Sequence, residues 1–156
     1  MIQRLQLKVP PLGVWLFAFL LMWGIDQLVP ALALVMPRVV TLILVTAMIG
    51  IAVTFAGLAL AVFRQAGTTI NPMSPDKSSY LVTSGIYRLS RNPMYVGLLL
   101  LLAAWGVYLA NVVSFLGLPA FALYMNHFQI VPEEQVLQTK FADEFVAYKQ
   151  RVRRWL

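Results

Sequence analysis

The stretch VVTLILVTAMIGIAVTFAGLALAVF, residues 39–63, carries no charged side chain and is almost wholly apolar. A helix of this length crosses the roughly 30 Å hydrocarbon core of a bilayer with some tilt. Small residues within it, such as Ala52, Ala56 and Ala59, allow a neighbouring helix to approach closely. The stretch therefore predicts a transmembrane helix that packs against other helices.

The rest of the chain shares this apolar character. Of its 156 residues, 60% are hydrophobic and only 12% are charged, whereas a soluble domain of this size carries far more charge. Three further apolar stretches predict further spans at residues 12–36, 93–110 and 112–131. Asn111 alone separates the last two spans, which makes them an antiparallel hairpin. We therefore expect an all-α, polytopic membrane bundle of four transmembrane helices, forming a single domain over residues 1–156.

Two polar segments interrupt or follow the predicted spans. Residues 64–92 are rich in Gly, Pro, Ser and Asn, and this composition predicts a loop with little regular structure. Loops of such length are usually functional or disordered. In the tail, residues 132–156, apolar side chains recur at helical spacing, at Val136 or Leu137, Phe141, Phe145, Tyr148 and Val152. The tail is predicted to be an amphipathic helix that lies at the membrane surface or over the mouth of the bundle.

The distribution of charge predicts how the bundle is oriented. If the N-terminus is cytoplasmic, Arg38 is the one residue among the twelve Lys and Arg that falls in an outer loop. Cytoplasmic loops carry the excess of Lys and Arg, so we place both termini, the central loop and the tail on the cytoplasmic side of a bacterial or archaeal inner membrane. The net charge of +6 then reflects contact with anionic headgroups, and no nucleic-acid partner is expected.

Composition also excludes several kinds of site. The chain has no cysteine, which excludes a thiolate nucleophile and every Cys-ligated metal or iron–sulfur centre. Its single histidine, His127, argues against zinc, and we expect that side chain to be a packing residue. Carboxylate metal sites survive these counts, but no metal site is assigned.

Two polar clusters at the ends of the hairpin could carry chemistry. The first lies in GIYRLSRNPMY, residues 85–95; the second begins with Glu133 and Glu134 and ends with RVRRW, residues 151–155. Because the two helices form a hairpin, both clusters lie at the same end of it. The arginines could clamp a carboxylate or phosphate, or could only follow the positive-inside rule. The two carboxylates could bind an ammonium group, ribose hydroxyls or a metal, or could only complement the helix dipole.

Three motifs, taken in order, resemble those of a known superfamily. Residues 85–97, GIYRLSRNPMYVG, resemble the G-x-Y-R-x-x-R-H-P-x-Y-x-G signature of the isoprenylcysteine carboxyl methyltransferase and phospholipid methyltransferase superfamily. Residues 133–156, EEQVLQTKFADEFVAYKQRVRRWL, are similar to that superfamily's ending, which runs from a Glu pair to Arg-Trp. The earlier RQAGTTINP, residues 64–72, is similar to its R-x-x-G-T-x-x-x-P element. The order of the three motifs makes the resemblance specific.

The resemblance implies an S-adenosylmethionine-dependent methyltransferase whose cofactor binds at the cytoplasmic end of the hairpin. The methyl acceptor would be a lipophilic small molecule or a lipid that enters from the bilayer, and its reacting group could be a carboxylate, an amine or a thiol. The positions that match cofactor-binding residues are Tyr87, Arg88, Arg91, Asn92, Pro93, Tyr95, Glu133 and Glu134. The positions that match catalytic residues, facing cofactor or acceptor, are Asn92, Arg151 and Arg154, with Arg151 expected to orient the acceptor.

Some residues depart from the superfamily pattern. Asn92 stands where a histidine is usual, and asparagine cannot act as a base near neutral pH; we expect Asn92 to orient the cofactor instead. Ala142 replaces a usual glycine, and Phe145 replaces a usual tyrosine. Two other functions stay open. One is an NADPH-dependent, sterol-reductase-like membrane enzyme, because such proteins carry a similar R-H-P-x-Y segment. The other is a non-catalytic membrane protein that retains the fold.

Overall fold

The computed structural model describes residues 7–67 and 80–156, and helices make up most of these two ranges. The α-helices are α1 (Pro11–Leu28), α2 (Arg38–Ala66), α3 (Pro93–Leu109), α4 (Gly117–Tyr124) and α5 (Val131–Arg151). A π-helical segment, Met125–Ile130, joins α4 to α5. Short 3₁₀ turns occur at Pro30–Leu32, Gly85–Arg88 and Val113–Leu116. The two ranges contain no β-strand beyond one isolated bridge between Ala33 and Asn111, which confirms the prediction of an all-α fold.

Two helices, α1 and α2, are long and apolar enough to cross a membrane, and α3 is a shorter apolar helix. The helix α4 is short, but the π segment and α5 continue it without an interruption, because the residues at both junctions keep right-handed helical backbone angles. These apolar helices agree with a membrane protein. The count of four spans and their orientation stay predictions.

The first helix ends at Leu28, well before the predicted residue 36. Pro30 has no N–H with which to continue the helix. After the 3₁₀ turn at Pro30–Leu32, the chain runs beside the α3–α4 turn. There the N–H of Leu34 bonds to the carbonyl of Ala110 at 2.5 Å. The buried side chain of Asn111 donates from Nδ2 to the carbonyl of Val29 at 2.9 Å. Asn111, the predicted turn residue, therefore binds the connection between α1 and α2 to the connection between α3 and α4 at one end of the bundle.

The second helix packs closely against the third. Gly97 of α3 lies so near α2 that an added Cβ would be 3.1 Å from the carbonyl oxygen of Ala52. Ala52 and Ala59 are buried, as expected for small residues at a helix contact. The helix ends at Ala66 and is capped by Gly67, whose left-handed φ of +62° suits glycine. The predicted loop therefore begins slightly later than residue 64, and its residues 68–79 lie outside the described part of the chain.

The tail helix does not begin at Pro132, where the sequence predicted its start. Instead of starting a separate helix there, the chain is already helical, and α5 extends to Arg151 with one interruption at Ala142 (φ +39°, ψ −116°). The predicted apolar face is present, with Leu137 rather than Val136 as its first member. This face packs onto Leu81 of the central segment.

Candidate functional site

A polar turn holds the start of α3. Asn92 precedes the helix, and Pro93 occupies its first turn, where a missing N–H removes no helical hydrogen bond. The fully buried hydroxyl of Ser90 accepts a hydrogen bond from the backbone N–H of Asn92 at 3.0 Å. The preceding 3₁₀ turn begins at Gly85, whose φ of +58° favours glycine. The local sequence thus fixes the direction in which the side chains of Arg91 and Asn92 leave the backbone.

The last residues, 152–156, lie against this turn, and we refer to them as the C-terminal strap. Arg91 contributes two of the contacts. Its backbone N–H donates to the carbonyl of Arg153 at 3.0 Å, and its Nη1 donates to the carbonyl of Val152 at 2.5 Å. Charge-assisted hydrogen bonds from a guanidinium are stronger than neutral ones, so Arg91 is a main anchor of the strap.

Two neighbours of Arg91 bind the next carbonyl group of the strap. Asn92 donates from Nδ2 to the carbonyl of Arg154 at 2.9 Å, and the hydroxyl of Ser90 donates to the same oxygen at 3.3 Å. Residues 90–92 therefore bind the consecutive carbonyl groups of residues 152–154. The two motifs, which are far apart in sequence, form one unit.

The carboxylate of Glu134 lies between two arginines. Oε1 is 2.6 Å from Nη2 of Arg91, and Oε2 is 2.7 Å from Nη2 of Arg154. The side chains of Glu134 and Arg91 are 14% and 11% exposed, so this pair is largely screened from water. Burial alone would raise the pKa of Glu134, but the hydrogen bonds and charges of Arg154 and Arg91 outweigh burial and lower it. Glu134 is thus a charged link between the first motif and the strap.

The adjacent Glu133 has a different environment. Its Oε2 accepts a hydrogen bond from the hydroxyl of Tyr95 at 3.1 Å, whereas the ion pairs with Arg91 and Arg154 belong to Glu134. Gln129 interacts with the same tyrosine hydroxyl. Loss of water around the carboxyl raises the pKa of Glu133 to about 7; the hydrogen bond from Tyr95 lowers it, and the charge of Glu134 adds to the increase. Within residues 7–67 and 80–156, Glu133 therefore offers a carboxyl that forms no ion pair with an arginine.

Tyr87 lies close to Glu133 and Tyr95. Its carbonyl accepts a hydrogen bond from the hydroxyl of Tyr148 at 2.7 Å, and its ring meets Phe63 edge-on, with 5.4 Å between the centroids. Burial raises the pKa of Tyr87, and the charge of Glu133 raises it further. Its phenol therefore lies within electrostatic range of the Glu133 carboxyl, and Tyr87, Tyr95 and Glu133 form one cluster.

The structure brings together most of the predicted site residues, but two arginines lie apart. Arg88 is exposed at the end of the 3₁₀ turn. Arg151 is also exposed, and its Nε donates to the carbonyl of Ala147 in the preceding helical turn. Catalytic or binding roles for these two residues require that they turn towards a ligand.

Several residues that contribute to this region were not singled out in the sequence. Ser90 binds the strap, and Gln129 lies four residues before Glu133, a spacing that puts both on one helix face. That spacing was the available signal. Asn126 accepts a hydrogen bond from Nε1 of Trp155 at 3.0 Å. No local pattern indicates this pair.

An apolar groove borders the site. It encloses about 400 Å³ between α3, α4 and the C-terminal strap, and its walls include Val96, Leu99, Ala103, Leu118, Ala122 and Trp155. Trp155 adjoins Arg154, which binds Glu134. Adjacent residues of the strap therefore contact the groove and the charged cluster.

Comparison with known proteins identifies the family. Residues 40–144 match the model of the family described as phospholipid methyltransferase. The chain belongs to the phospholipid methyltransferase family. The matched range includes the turn at residues 90–92 and both glutamates, and it confirms the resemblance found in the sequence. Membership indicates a methyltransferase of the membrane type.

One relative of this family member comes from Haemophilus influenzae, where it is described as an uncharacterized protein. It is 52% identical over 63 residues, which is 40% of this chain and 100% of the relative. The relative is therefore much shorter and brings no functional information of its own. No solved structure matches the chain.

Proposed function

We propose that this phospholipid methyltransferase family member transfers the methyl group of S-adenosylmethionine to a lipid-like or small lipophilic acceptor at the interface between membrane and cytoplasm. The cofactor supplies an electrophilic methyl group on a sulfonium, and the protein has to hold a nucleophile in line with it in a dry pocket. The observation that carries the proposal is the contrast between Glu133, which has no cation beside it in the described structure, and the arginine-bound Glu134.

This contrast suggests which residues bind the cofactor and which residues position them. Glu133 is suited to the positive sulfonium or amino group of the cofactor, because a partly buried carboxyl gains most from a cation that replaces lost water. Arg154 is 34% exposed and is the arginine of the pair that could also reach the cofactor carboxylate. Glu134 and Arg91 would position Arg154 and the strap.

The asparagine at position 92 is compatible with activity. Its side chain donates a hydrogen bond to the carbonyl of Arg154, and a histidine ring N–H can make the same kind of bond. If this bond is what position 92 supplies, Asn92 replaces histidine without the loss of a catalytic base. This supports a methyltransferase over a non-catalytic descendant of the family.

The groove supports a lipophilic acceptor. Its walls are apolar, and it lies between helices that we expect to lie in the bilayer and the C-terminal strap, whose Trp155 forms part of its wall. An acyl or prenyl chain of the acceptor could occupy this groove. The reacting group of the acceptor, a carboxylate, an amine or a thiol, is not distinguished by these features.

Calorimetric titration of the detergent-purified protein with S-adenosylmethionine tests the proposal, with NADPH titrated separately. Saturable binding of S-adenosylmethionine is expected, together with a marked loss of affinity in Glu133→Gln. Glu144→Gln, on the exposed part of α5, is the matched control and should bind as the wild type does. Binding of NADPH alone would indicate the reductase function. Binding of neither by folded protein would indicate a non-catalytic protein.

A further inference from the structure

The helix that carries the two glutamates contains a proline where a hydrogen-bond donor is expected. Pro132 lies in the first turn of α5, but the preceding π segment is helical as well. The first turn of α5 therefore lies in the interior of a continuous helix. Proline has no N–H, and the carbonyl of Phe128, four residues earlier, therefore cannot receive the usual helical bond from position 132. π-helical turns are rare and occur often at functional sites.

The N-terminal segment supplies a donor to this carbonyl. The backbone N–H of Leu7 bonds to the carbonyl oxygen of Phe128 at 3.1 Å. Leu7 has a left-handed φ of +56°, an uncommon conformation that persists where surrounding contacts stabilise it. Val9, two residues on, packs against the hydrophobic cluster that contains Tyr95 and Ile130. The segment before α1 is therefore docked beside the helix irregularity.

The irregularity determines where the site residues point. A π turn contains one residue more than an α turn, so it rotates every following side chain about the helix axis. Gln129 lies in the π segment and Glu133 lies just after it, and both interact with the hydroxyl of Tyr95. A regular α-helix through this region would keep Gln129 and Glu133 on one face, but it would rotate Glu133 by about 100° relative to α4 and so away from Tyr95.

We propose that the N-terminal segment around Leu7 is a positioning element of the candidate site. Its N–H replaces the hydrogen bond that Pro132 cannot make, and it thereby stabilises the π turn that directs Gln129 and Glu133 towards Tyr95. The structural part of this proposal is independent of the reaction, whereas its consequence for ligand binding rests on the proposed function.

Amide hydrogen exchange at Leu7 in the full chain tests the structural part. We expect the amide to be protected in the wild type. In Pro132→Ala the new N–H competes for the Phe128 carbonyl, and exchange at Leu7 should accelerate at least about tenfold. Pro119→Ala makes the same change in α4, before the π segment, and should leave exchange at Leu7 unaltered. An unprotected Leu7 amide, or one that is equally protected in Pro132→Ala, would overturn the proposal.

Affinity for S-adenosylmethionine tests whether the segment acts through Glu133. Pro132→Ala should weaken binding about fivefold to tenfold, without a lower melting temperature. In a Glu133→Gln background, Pro132→Ala should cause no further loss of affinity, because the carboxylate that it displaces is already absent. Equal losses in both backgrounds would overturn positioning through Glu133. If the wild type binds no S-adenosylmethionine, the proposed function fails, and the exchange experiment alone decides the role of Leu7.

Discussion

The carboxylate of Glu134 lies 2.6 Å from the guanidinium of Arg91, and the two residues come from different motifs of the chain. The other carboxylate oxygen lies 2.7 Å from the guanidinium of Arg154. One largely buried anion therefore connects the start of α3, the start of α5 and the C-terminal strap. The neighbouring Glu133 instead accepts a hydrogen bond from the hydroxyl of Tyr95.

Loss of this link should destabilise the protein. Glu134→Gln keeps the size of the side chain but leaves two guanidinium groups without an anion, so we expect a loss of about 1–3 kcal/mol. The partial exposure of Arg154 limits the effect. Thermal unfolding in detergent measures it, with the exposed Glu144→Gln as the control. Equal melting temperatures of Glu134→Gln and the wild type would contradict this role.

The two glutamates predict opposite responses to pH. The pKa of Glu134 is lowered below its ordinary 4.5, so its contribution is complete above that pH and is lost as pH falls through its folded-state pKa. The pKa of Glu133 is raised to about 7 from 4.5; the folded state holds this proton more tightly, and stability therefore falls as pH rises from 4.5 towards 7. Melting temperatures across this range should show the second slope in the wild type and lose it in Glu133→Gln.

Binding of a cation should follow the ionisation of Glu133. If the ionised carboxylate receives the positive group of S-adenosylmethionine, affinity rises as pH increases through about 7. In Glu133→Gln the affinity should be lower and almost independent of pH in this range. Calorimetry at several pH values measures both. A pH profile that is the same in the two proteins would exclude Glu133 as the cation-binding group.

The structure assigns Asn92 to the strap, and this predicts which substitutions position 92 tolerates. Asn92→Ala removes the hydrogen bond to the carbonyl of Arg154 and should cost about 1 kcal/mol. Asn92→His retains a possible donor and should cost less. Melting temperatures rank the variants, and hydrogen exchange at residues 152–156 reports whether the strap has loosened. A histidine variant that is less stable than the alanine variant would contradict the assignment.

The interruption of α5 predicts an unusual effect of glycine. Ala142 has a left-handed φ of +39°, which strains a residue with a Cβ, so Ala142→Gly should stabilise the protein by about 1 kcal/mol. The exposed Ala147, in the helical part that follows, is the matched control. Ala147→Gly should destabilise by about 0.5–1 kcal/mol. Shifts of the same sign in the two variants would contradict an interrupted helix at residue 142.

The apolar groove predicts a dependence on the acceptor chain. Ala122→Phe fills the groove, whereas Ala120→Phe puts the same bulk on an exposed position of α4 outside its walls. With long-chain amines, acids and thiols as acceptors, Ala122→Phe should raise KM for whichever class is methylated and leave the affinity for S-adenosylmethionine unchanged. Equal KM values in the two variants would place the chain elsewhere.

Much of the fold follows from local properties of the sequence. Residues 39–63 form a helix because an apolar segment has to satisfy its backbone hydrogen bonds internally in a bilayer, and the observed α2 extends only slightly beyond them. Asn111 marks the hairpin turn as expected, and the hairpin brings both motifs to one end. These predictions succeeded because they depend on composition and short-range spacing.

The sequence by itself determined the all-α class, the family and most of the residues that meet at one end of the bundle. It did not distinguish Glu133 from Glu134, since adjacent residues of one type look alike until their neighbours are known. Only the tertiary structure placed arginines from two distant segments on Glu134 and a tyrosine of α3 on Glu133. Likewise, the docking of Leu7 on the Phe128 carbonyl depends on a contact between residues that are far apart in the sequence. The charge, pKa and direction of a side chain are set by what packs against it, and for this site those partners come from elsewhere in the sequence.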